Sequence, residues 1–102
     1  LLKYIFNYLD KNIDRTLKTE DIAQKFNYSA SYLLTLFKKH TGYSIIQFFN
    51  LKKMQKACEY LKYSDLSIKE ISYRLGFQDP FYFSRIFKKT IGQSPSEYRE
   101  EV

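Results

Sequence analysis

An internal repeat is the feature of this sequence that most restricts its fold. Residues 32–44 read YLLTLFKKHTGYS and residues 82–94 read YFSRIFKKTIGQS, with six identities at an offset of fifty. Upstream, residues 22–28 align with residues 71–77 at an offset of forty-nine, so the second copy carries one extra residue near Gln78. An offset that changes inside a turn and holds on both sides of it predicts a duplicated helical unit.

Each copy has the pattern of two helices joined by a tight turn. In the first copy, Ile22 and Phe26 lie four residues apart, which is the spacing of apolar positions on a short helix. The turn residues Asn27 and Gly76 are of the types that most readily adopt the left-handed backbone that closes a helix. The following helices carry matched apolar stripes, which are Leu33, Leu36 and Phe37 in one copy and Phe83, Ile86 and Phe87 in the other.

Residues that cap helices occur at matching places in both copies. Ser29 and Asp79 supply side-chain oxygens that cap the second helix of each copy, and Gly42 and Gly92 end it. The predicted second helices cover about residues 30–41 and 80–91. Three capping boxes open further helices, and they are Ser44 with Gln47, Ser67 with Glu70, and Ser94 with Glu97.

Two further helical segments complete the predicted fold. Residues 1 to about 13 and residues 45 to about 62 both carry apolar residues at helical spacing, and the second segment is long enough to join two units. The predicted fold is therefore all-α, with about seven helices in two helix-turn-helix subdomains joined by a long linker helix. The predicted division assigns residues 1–43 to the first unit, 44–63 to the linker helix and 64–102 to the second unit.

The distribution of charge indicates a polyanionic partner. Seventeen Lys and Arg outnumber eleven Asp and Glu, for a net charge of +6. No acidic residue falls between Asp21 and Glu59 or between Asp79 and Glu97, although both stretches contain several basic residues. Clustered basic residues are typical of proteins that bind nucleic acid, and the alternative is a solvated, lysine-rich surface.

Composition argues against several other classes of protein. One Cys and one His, Cys58 and His40, argue against a disulfide framework, a zinc site and nucleophilic catalysis, so no metal, cofactor or enzymatic activity is expected. No apolar run approaches the length of a membrane span. We expect a cytoplasmic protein, and the start at Leu1 suggests that the chain is part of a longer one.

The second helix of a helix-turn-helix pair binds DNA by lying in the major groove, where base edges can be distinguished. With the apolar stripes buried, the predicted base-reading residues are Ser31, Leu34 and Thr35 in the first copy and Phe81, Ser84 and Arg85 in the second. Arg85 is the sharpest candidate because its planar fork can grip both guanine acceptors, and Leu34 suits a thymine methyl group. The predicted phosphate contacts are Lys38, Lys39, Lys53, Lys88 and Lys89, with the hydroxyls of Tyr32 and Tyr82.

Other interpretations of these residues remain open at the sequence level. Arg85 can be an ordinary surface arginine, Leu34 can belong to the core, the lysines can be solvated, and the tyrosines can be buried with satisfied hydroxyls. The alternative function is a basic helical module that binds RNA or a protein partner. Duplex DNA is preferred because the deep, narrow major groove of RNA does not admit a helix.

Four motifs of the second half of the chain are distinctive. They are A-C-x-x-L at residues 57–61, I-K-E-I-S-x-R-L-G-F at 68–77, D-P-F-Y-F-S-R-I-F-K-K at 79–89 and G-Q-S-P-S-E-Y-R at 92–99. Through them the chain resembles the DNA-binding domain of the AraC/XylS family of bacterial transcription regulators. The resemblance implies seven helices in two homeodomain-like units, whose recognition helices enter successive major grooves of double-stranded DNA.

The resemblance also carries expectations about the whole protein. It implies a transcription activator that contacts RNA polymerase, and an upstream sensing or dimerisation domain outside this chain. Residues 50–99 resemble members with an upstream sugar-sensing domain, which implies regulation of carbohydrate-related genes, and members with an upstream receiver domain are nearly as similar. The chain departs from the family at Lys53, where the family often has Arg, so a bidentate contact would become a point charge. The first recognition helix lacks Arg, Gln and Asn at its open positions, so its specificity is expected to depend on methyl contacts and DNA shape.

Overall fold

The computed structural model describes residues 1–101, and seven α-helices with no β-strand make up the regular structure of that range. The helices are α1 (Leu2–Lys11), α2 (Thr19–Lys25), α3 (Ala30–Thr41), α4 (Ile45–Tyr63), α5 (Ile68–Arg74), α6 (Pro80–Ile91) and α7 (Pro95–Glu101). The predicted all-α fold of about seven helices is confirmed. The predicted second helices of the two copies agree with α3 and α6 at both ends.

The helices begin where the sequence supplies side-chain acceptors. The Ser29 hydroxyl accepts a hydrogen bond from the N–H of Tyr32 at 3.1 Å, and the Asp79 carboxylate accepts one from the N–H of Phe81 at 2.9 Å. All three predicted capping boxes are formed, and they open α4 (Ser44, Gln47), α5 (Ser67, Glu70) and α7 (Ser94, Glu97). These bonds satisfy backbone donors that the first turn of a helix cannot pair internally.

The turns depend on residues that tolerate a left-handed backbone. Asn27 and Gly76 connect the two helices of each repeat with φ angles of 61° and 83°. Gly42 and Gly92 end α3 and α6 with φ angles of 81° and 93°. Both pairs occupy equivalent positions in the repeat, so the duplication seen in the sequence is a duplication of backbone geometry.

Each repeat has its own hydrophobic core, and α4 contributes to both. The first core contains Ile5, Leu9, Ile22, Ala23, Leu33 and Phe37, with Ile45 and Phe49 from the N-terminal half of α4. The second contains Met54, Ala57 and Leu61 from the C-terminal half of α4, with Ile71, Leu75, Phe77, Phe83 and Phe87. Burial of each large side chain contributes about 1.5–3 kcal/mol. The long helix is thus a structural part of both units as well as the connection between them.

Lys53 lies on α4 at the boundary of the two cores, in the protein interior. The side chain is 3% exposed, and its Nζ donates hydrogen bonds to the backbone carbonyls of Arg15 and Leu75. An ammonium that is enclosed and already bonded to two carbonyls is not available to a DNA phosphate. The structure therefore removes Lys53 from the predicted phosphate contacts.

Arg99 of α7 attaches the second unit to the C-terminal end of α4. Its guanidinium donates hydrogen bonds to the backbone carbonyls of Leu61 at 3.2 Å, Leu66 at 2.7 Å and Ser64 at 3.2 Å. The last carbonyls of a helix lack internal partners and carry the negative end of the helix dipole, so a cation there is stabilising. Arg99 consequently fixes α7 and the loop before α5 against one end of α4.

Candidate nucleic-acid interface

One side of α3 packs into the first core, and the opposite side is open to solvent. The open face of α3 consists of Ser31, Leu34, Thr35 and Lys38, all of which are exposed. Leu34 keeps 40% of its surface exposed, which separates it from the buried Leu33 and Phe37. The Thr35 hydroxyl donates to the Ser31 carbonyl at 3.0 Å, and its oxygen retains the capacity to accept a further hydrogen bond.

The open face of α6 has the same position in the second unit. It consists of Phe81, Ser84, Arg85 and Lys88, of which Ser84 is half-buried and the others exposed. Phe81 is 81% exposed, an unusual state for a large apolar side chain that no neighbour covers. The Arg85 guanidinium lies 5.7 Å from the ring centre of Tyr82, a cation–π contact that restricts its orientation.

A shallow groove runs beside each open face, at equivalent places. The first groove is lined by Leu34, Thr35, Lys38, Lys39 and Ser44. The second is lined by Asp79, Phe81, Ser84, Arg85, Lys88 and Ser94. Each groove lies between the second helix of its repeat and the serine that caps the next helix, which is Ser44 or Ser94. The structure thus brings five of the six predicted base-reading residues into two matched grooves.

Two aromatic pairs flank the starts of α3 and α6. Tyr32 stacks on Tyr28 with ring centres 5.1 Å apart, and Tyr82 packs against Phe77 at 6.1 Å. Tyr32 and Tyr82 are 49% and 45% exposed, so the alternative of fully buried tyrosines does not hold. Their partners Tyr28 and Phe77 are also equivalent in the repeat. Each tyrosine ring is therefore anchored beside its open face with nearly half of its surface in contact with solvent.

Four lysines lie in the last turns of the two open helices. Lys38, Lys39, Lys88 and Lys89 are exposed, and none of them forms an ion pair with a carboxylate of residues 1–101. The ion pairs found in that range involve α4 instead, and they are Lys52 with Asp10 at 2.7 Å and Lys56 with Glu59 at 3.1 Å. The positive charge of the last turns is thus free to attract an anionic partner.

Negative charge distinguishes the second groove from the first, since the Asp79 carboxylate lines the second and no acidic residue lines the first. The Glu97 carboxylate accepts a hydrogen bond from the N–H of Ser94, a residue that lines the second groove. This bond lowers the pKa of Glu97 below its ordinary value, with smaller help from the charge of Lys88. The equivalent residue beside the first groove is Gln47 of α4, whose side-chain oxygen accepts the same bond from the N–H of Ser44 without a charge. The two grooves therefore have matching shapes and different electrostatics.

Metal-binding groups, membrane-spanning helices and reactive cysteines are the other features that would indicate a function. Among residues 1–101, no three His, Cys, Asp or Glu side chains gather in a group that could hold a metal ion. None of the helices in that range combines the length and the apolar character that crossing a membrane requires. Cys58 is half-buried, and burial raises the pKa of its thiol above the ordinary value.

Sequence reasoning missed the interior position of Lys53, although a signal was present. Phe49, Lys53, Ala57 and Leu61 follow one another at intervals of four residues along α4, and the other three members of this series are buried. A lysine in the middle of an apolar stripe faces the core unless the helix turns it away. The residues that Lys53 contacts, Arg15 and Leu75, lie far from it in the chain and gave no such signal.

Comparison with known proteins places this geometry in a family. The family model of a helix-turn-helix domain matches residues 22–101, which is most of the chain. The matched range begins in α2 and ends in α7, so it contains both repeats and the whole of α4.

Curated relatives match the chain over nearly its full length. The Msm operon regulatory protein of Streptococcus mutans is 41% identical over 87 residues, which cover 85% of this chain and 31% of that protein. The raffinose operon transcriptional regulatory protein RafR of Pediococcus pentosaceus is 34% identical over 96 residues, which cover 94% of this chain and 35% of that protein. The chain spans about a third of the length of these relatives.

Solved structures share the arrangement of the seven helices. The C-terminal domain of AraT, a response regulator from Geobacillus stearothermophilus, is 35% identical with a TM-score of 0.94, over 98% of this chain and 84% of that one. The DNA-binding domain of the global transcriptional factor AdpA, solved with a target DNA, has the same fold, with 24% identity and a TM-score of 0.92 over 98% of this chain and 90% of that one. With its two matched helix-turn-helix units and this family match, the chain belongs to the AraC/XylS family of transcription regulators and corresponds to their C-terminal DNA-binding domain.

Proposed function

We propose that the chain binds double-stranded DNA in a sequence-specific way, with α3 and α6 in two successive major grooves on one face of the duplex. The observation that carries the proposal is the duplication of the open face. Two helices at opposite ends of α4 expose equivalent positions beside equivalent grooves. The last turn of each helix also carries a pair of exposed lysines that form no ion pair within residues 1–101. A helix fits the major groove of B-DNA, whereas the major groove of duplex RNA is too narrow for it.

The dimensions of the molecule suit this arrangement. Its Cα atoms extend over 42 × 22 × 21 Å, and α4 has 19 residues, which corresponds to about 28 Å of helix. One turn of B-DNA is about 34 Å long. A single chain is therefore long enough to contact two major grooves one turn apart, without a second copy.

In the second unit, Arg85 is assigned to a guanine. Its guanidinium can donate two parallel hydrogen bonds to the major-groove acceptors of that base, and the Tyr82 ring restricts its orientation beforehand. Phe81 offers an apolar surface to a thymine methyl group, and Ser84 offers a short hydroxyl to a base edge or a phosphate. This combination gives the second unit the greater share of base discrimination.

In the first unit, the assigned base contacts are weaker. Leu34 has no hydrogen-bonding group, so it can contact a thymine methyl group only through its apolar surface. Ser31 and Thr35 are small, and Thr35 already uses its hydroxyl proton within α3. We assign this unit a preference that depends on methyl contacts and on the local shape of the DNA.

The phosphate contacts are assigned to the side chains around the two open faces. Phosphate contacts position a protein on DNA without distinguishing bases, and each one makes affinity fall with salt. The assigned residues are Lys38, Lys39, Tyr32, Lys88, Lys89 and Tyr82, all of them exposed.

At the level of the whole protein, we propose a transcription activator that acts in the cytoplasm of a bacterium and contacts RNA polymerase. The relatives are about three times as long as this chain, which supports a sensing or dimerisation domain elsewhere in the protein. The similarity to a raffinose operon regulator supports carbohydrate-related target genes. No catalytic step belongs to this proposal.

Selection of bound duplexes from a randomised DNA pool at moderate salt tests the proposal. We expect two short enriched blocks whose centres lie about 10 base pairs apart. A single block would restrict sequence specificity to one unit, which we expect to be the unit of Arg85. Binding that falls steeply with salt and enriches no sequence, or that duplex RNA competes away as well as duplex DNA does, would contradict the proposal.

A further inference from the structure

A hydrogen-bonded junction joins the two units beside α4. The Lys53 ammonium donates to the Arg15 carbonyl, in the loop after α1, and to the Leu75 carbonyl, at the end of α5. Beside it, the Thr16 hydroxyl donates to the Gly76 carbonyl. Three hydrogen bonds thus connect the loop of the first unit to α4 and to the helix-turn-helix turn of the second unit.

The ammonium also contacts an aromatic ring from each core. Its Nζ lies 4.6 Å from the ring centre of Phe49 and 5.2 Å from that of Phe77. Phe49 belongs to the first core and Phe77 to the second. Carbonyl oxygens and aromatic faces both attract a cation, so one buried charge is held by groups from both units at once.

Gly76 permits this close approach. A Cβ at Gly76 would lie 2.7 Å from the carbonyl carbon of Arg15 and 2.9 Å from the Lys53 Nζ, which no ordinary packing allows. The equivalent turn residue of the first unit, Asn27, has the same left-handed backbone and an exposed side chain. The two copies thus differ at the place where the second one meets the loop of the first.

We propose that Lys53, with Gly76 and the Arg15 carbonyl, sets the orientation of the second unit relative to the first and thereby the spacing between half-sites that the protein accepts. Lys53 is a positioning residue that does not contact DNA. Apolar packing between the units tolerates small rotations, whereas the hydrogen bonds that an enclosed ammonium donates to backbone carbonyls require particular distances and angles and resist them. The proposal rests on the proposed function for its effect on DNA and on the junction alone for its effect on orientation.

The orientation is testable without DNA. Cysteines at His40→Cys and Thr90→Cys, in a Cys58→Ala background, place spin labels at equivalent exposed positions of α3 and α6. Double electron–electron resonance then measures the distribution of distances between the two helices. We expect one narrow peak in the parent protein, and a broadened or displaced peak in Lys53→Met, which keeps an unbranched side chain only one atom shorter and removes its donors.

Lys52→Met is the matched control, because it removes the same charge from a neighbouring residue whose partner is the exposed Asp10. It should leave the peak unchanged. Gly76→Ala tests the same junction from the other side and is expected to act like Lys53→Met, which also covers the case in which one variant does not fold. A broad or two-peaked distribution in the parent protein, or an unchanged peak in both junction variants, would overturn the proposal.

The effect on DNA is measured with duplexes that carry the two selected half-sites at the preferred spacing or one or two base pairs away from it. Lys53→Met should lose about tenfold or more in affinity at the preferred spacing and change little at the others, so that the preference disappears. Lys52→Met should weaken binding to every duplex by a similar factor. Equal weakening of all duplexes by both variants would show that Lys53 acts through charge alone. If no half-sites are selected, the proposed function fails. The spin-label distances would still show whether Lys53 sets the orientation of the two units.

Discussion

Arg85 and Leu34 are the two open-face residues whose side chains differ most in what they can recognise. Arg85 brings five N–H donors in a fixed plane, and Leu34 brings only a branched apolar surface. Both are exposed, so neither owes its place to packing in a core. The contributions to specificity that we propose for them can be compared directly.

Arg85→Ala is expected to relax the sequence preference of the protein more than Leu34→Ala. With the proposed contacts, the arginine variant would lose a bidentate pair, for which about 1–3 kcal/mol of discrimination is typical, and the leucine variant would lose only a methyl contact. The measurement is the affinity of each variant for the selected duplex and for all of its single-base variants. A larger loss of preference from Leu34→Ala would contradict the assignment of roles.

Glu97→Gln is expected to strengthen DNA binding by about twofold at low salt, and less at high salt, because it removes a negative charge beside the second groove. The cap of α7 should persist, since Gln47 makes the equivalent bond in α4. Titration of a labelled duplex measures the effect, and the reciprocal variant Gln47→Glu should weaken binding. An unchanged affinity in both variants would show that Glu97 and Gln47 lie too far from the DNA to affect binding.

The interior position of Lys53 predicts a dependence of stability on pH. Burial lowers its pKa to about 8 from the ordinary 10.5, an effect that the charge of Asp14 opposes. The unfolded chain therefore binds the Lys53 proton more tightly than the folded protein does. The contribution to the free energy of unfolding is present in full above pH 10.5 and is lost as the pH falls through about 8.

We expect the free energy of unfolding to rise by about 2 kcal/mol more in the parent protein than in Lys53→Met between pH 7 and pH 9.5. Urea unfolding of both proteins at the two pH values measures the difference, and the tyrosines and Cys58, present in both, cancel from it. A difference that stays constant with pH would mean that burial does not shift the pKa of Lys53.

The contrast between Arg85 and Lys53 shows what residue type can predict. Both are cations on helices, and both are predicted from the sequence to contact DNA. For Arg85, the apolar stripe of α6 predicts the opposite side as open, and the structure agrees. For Lys53, the residue type favoured the surface while its place in the apolar stripe of α4 favoured the core. Burial was decided by acceptors from Arg15 and Leu75, which local patterns do not reveal.

At the scale of elements, the helix boundaries were the most predictable feature. Capping side chains and glycines act within three or four residues of the boundary they define, so a single sequence contains the necessary information. The predicted first helix, to about residue 13, ends earlier, at Lys11. The Asn12 side chain donates to the Tyr8 carbonyl at 2.8 Å and caps α1 at its C-terminal end.

Gly42→Ala and Gly92→Ala are expected to destabilise the protein by similar amounts, roughly 1 kcal/mol each. Both residues have a left-handed backbone, and a Cβ at either would meet no atom within 4 Å. The penalty is therefore the backbone strain alone, in both copies of the repeat. Thermal unfolding measures it, with Thr90→Ala on the exposed last turn of α6 as the control. A loss several times larger at either glycine would reveal a tertiary contact there.

The double role of α4 was not predictable from its own pattern. Its apolar residues indicate burial without indicating which core receives them. The sequence supported a linker helix between two units, and the structure shows Phe49 in the first core and Met54 in the second. Assignment to a core requires contacts with other helices, and these arise only in the assembled fold.

At the scale of the whole molecule, the two repeats are expected to unfold in one transition. They share α4. Lys53 connects the middle of α4 to both units, and Arg99 connects its C-terminal end to the second unit. Amide hydrogen exchange measures the free energy of opening for the buried Phe37 in α3 and the buried Phe87 in α6. We expect equal values at the two sites. A lower value at one of them would show that its unit opens independently.

The relation between the two units is also where prediction from sequence stopped. The repeat and the motifs identify two helix-turn-helix units, and the open faces follow from the apolar stripes. The junction instead joins Arg15 to Lys53 and Lys53 to Leu75 across 38 and 22 residues of chain. Such contacts depend on how the two cores meet, which a local pattern does not encode.

The shared helix has a consequence for hybrid regulators built by exchanging units between relatives. If the two parent sequences are joined in the loop on either side of α4, one core receives its half of α4 from the other parent. The side chains of that core then no longer come from one protein and do not pack against matched partners. A joint inside α4, between Phe49 and Met54, leaves each core with its own residues. The hybrid would also have to inherit the Arg15 loop and Gly76 as a compatible pair, because one lies in each parent. The boundary between exchangeable units in this fold thus lies in the middle of a helix, and recombination in the loops between helices would not coincide with it.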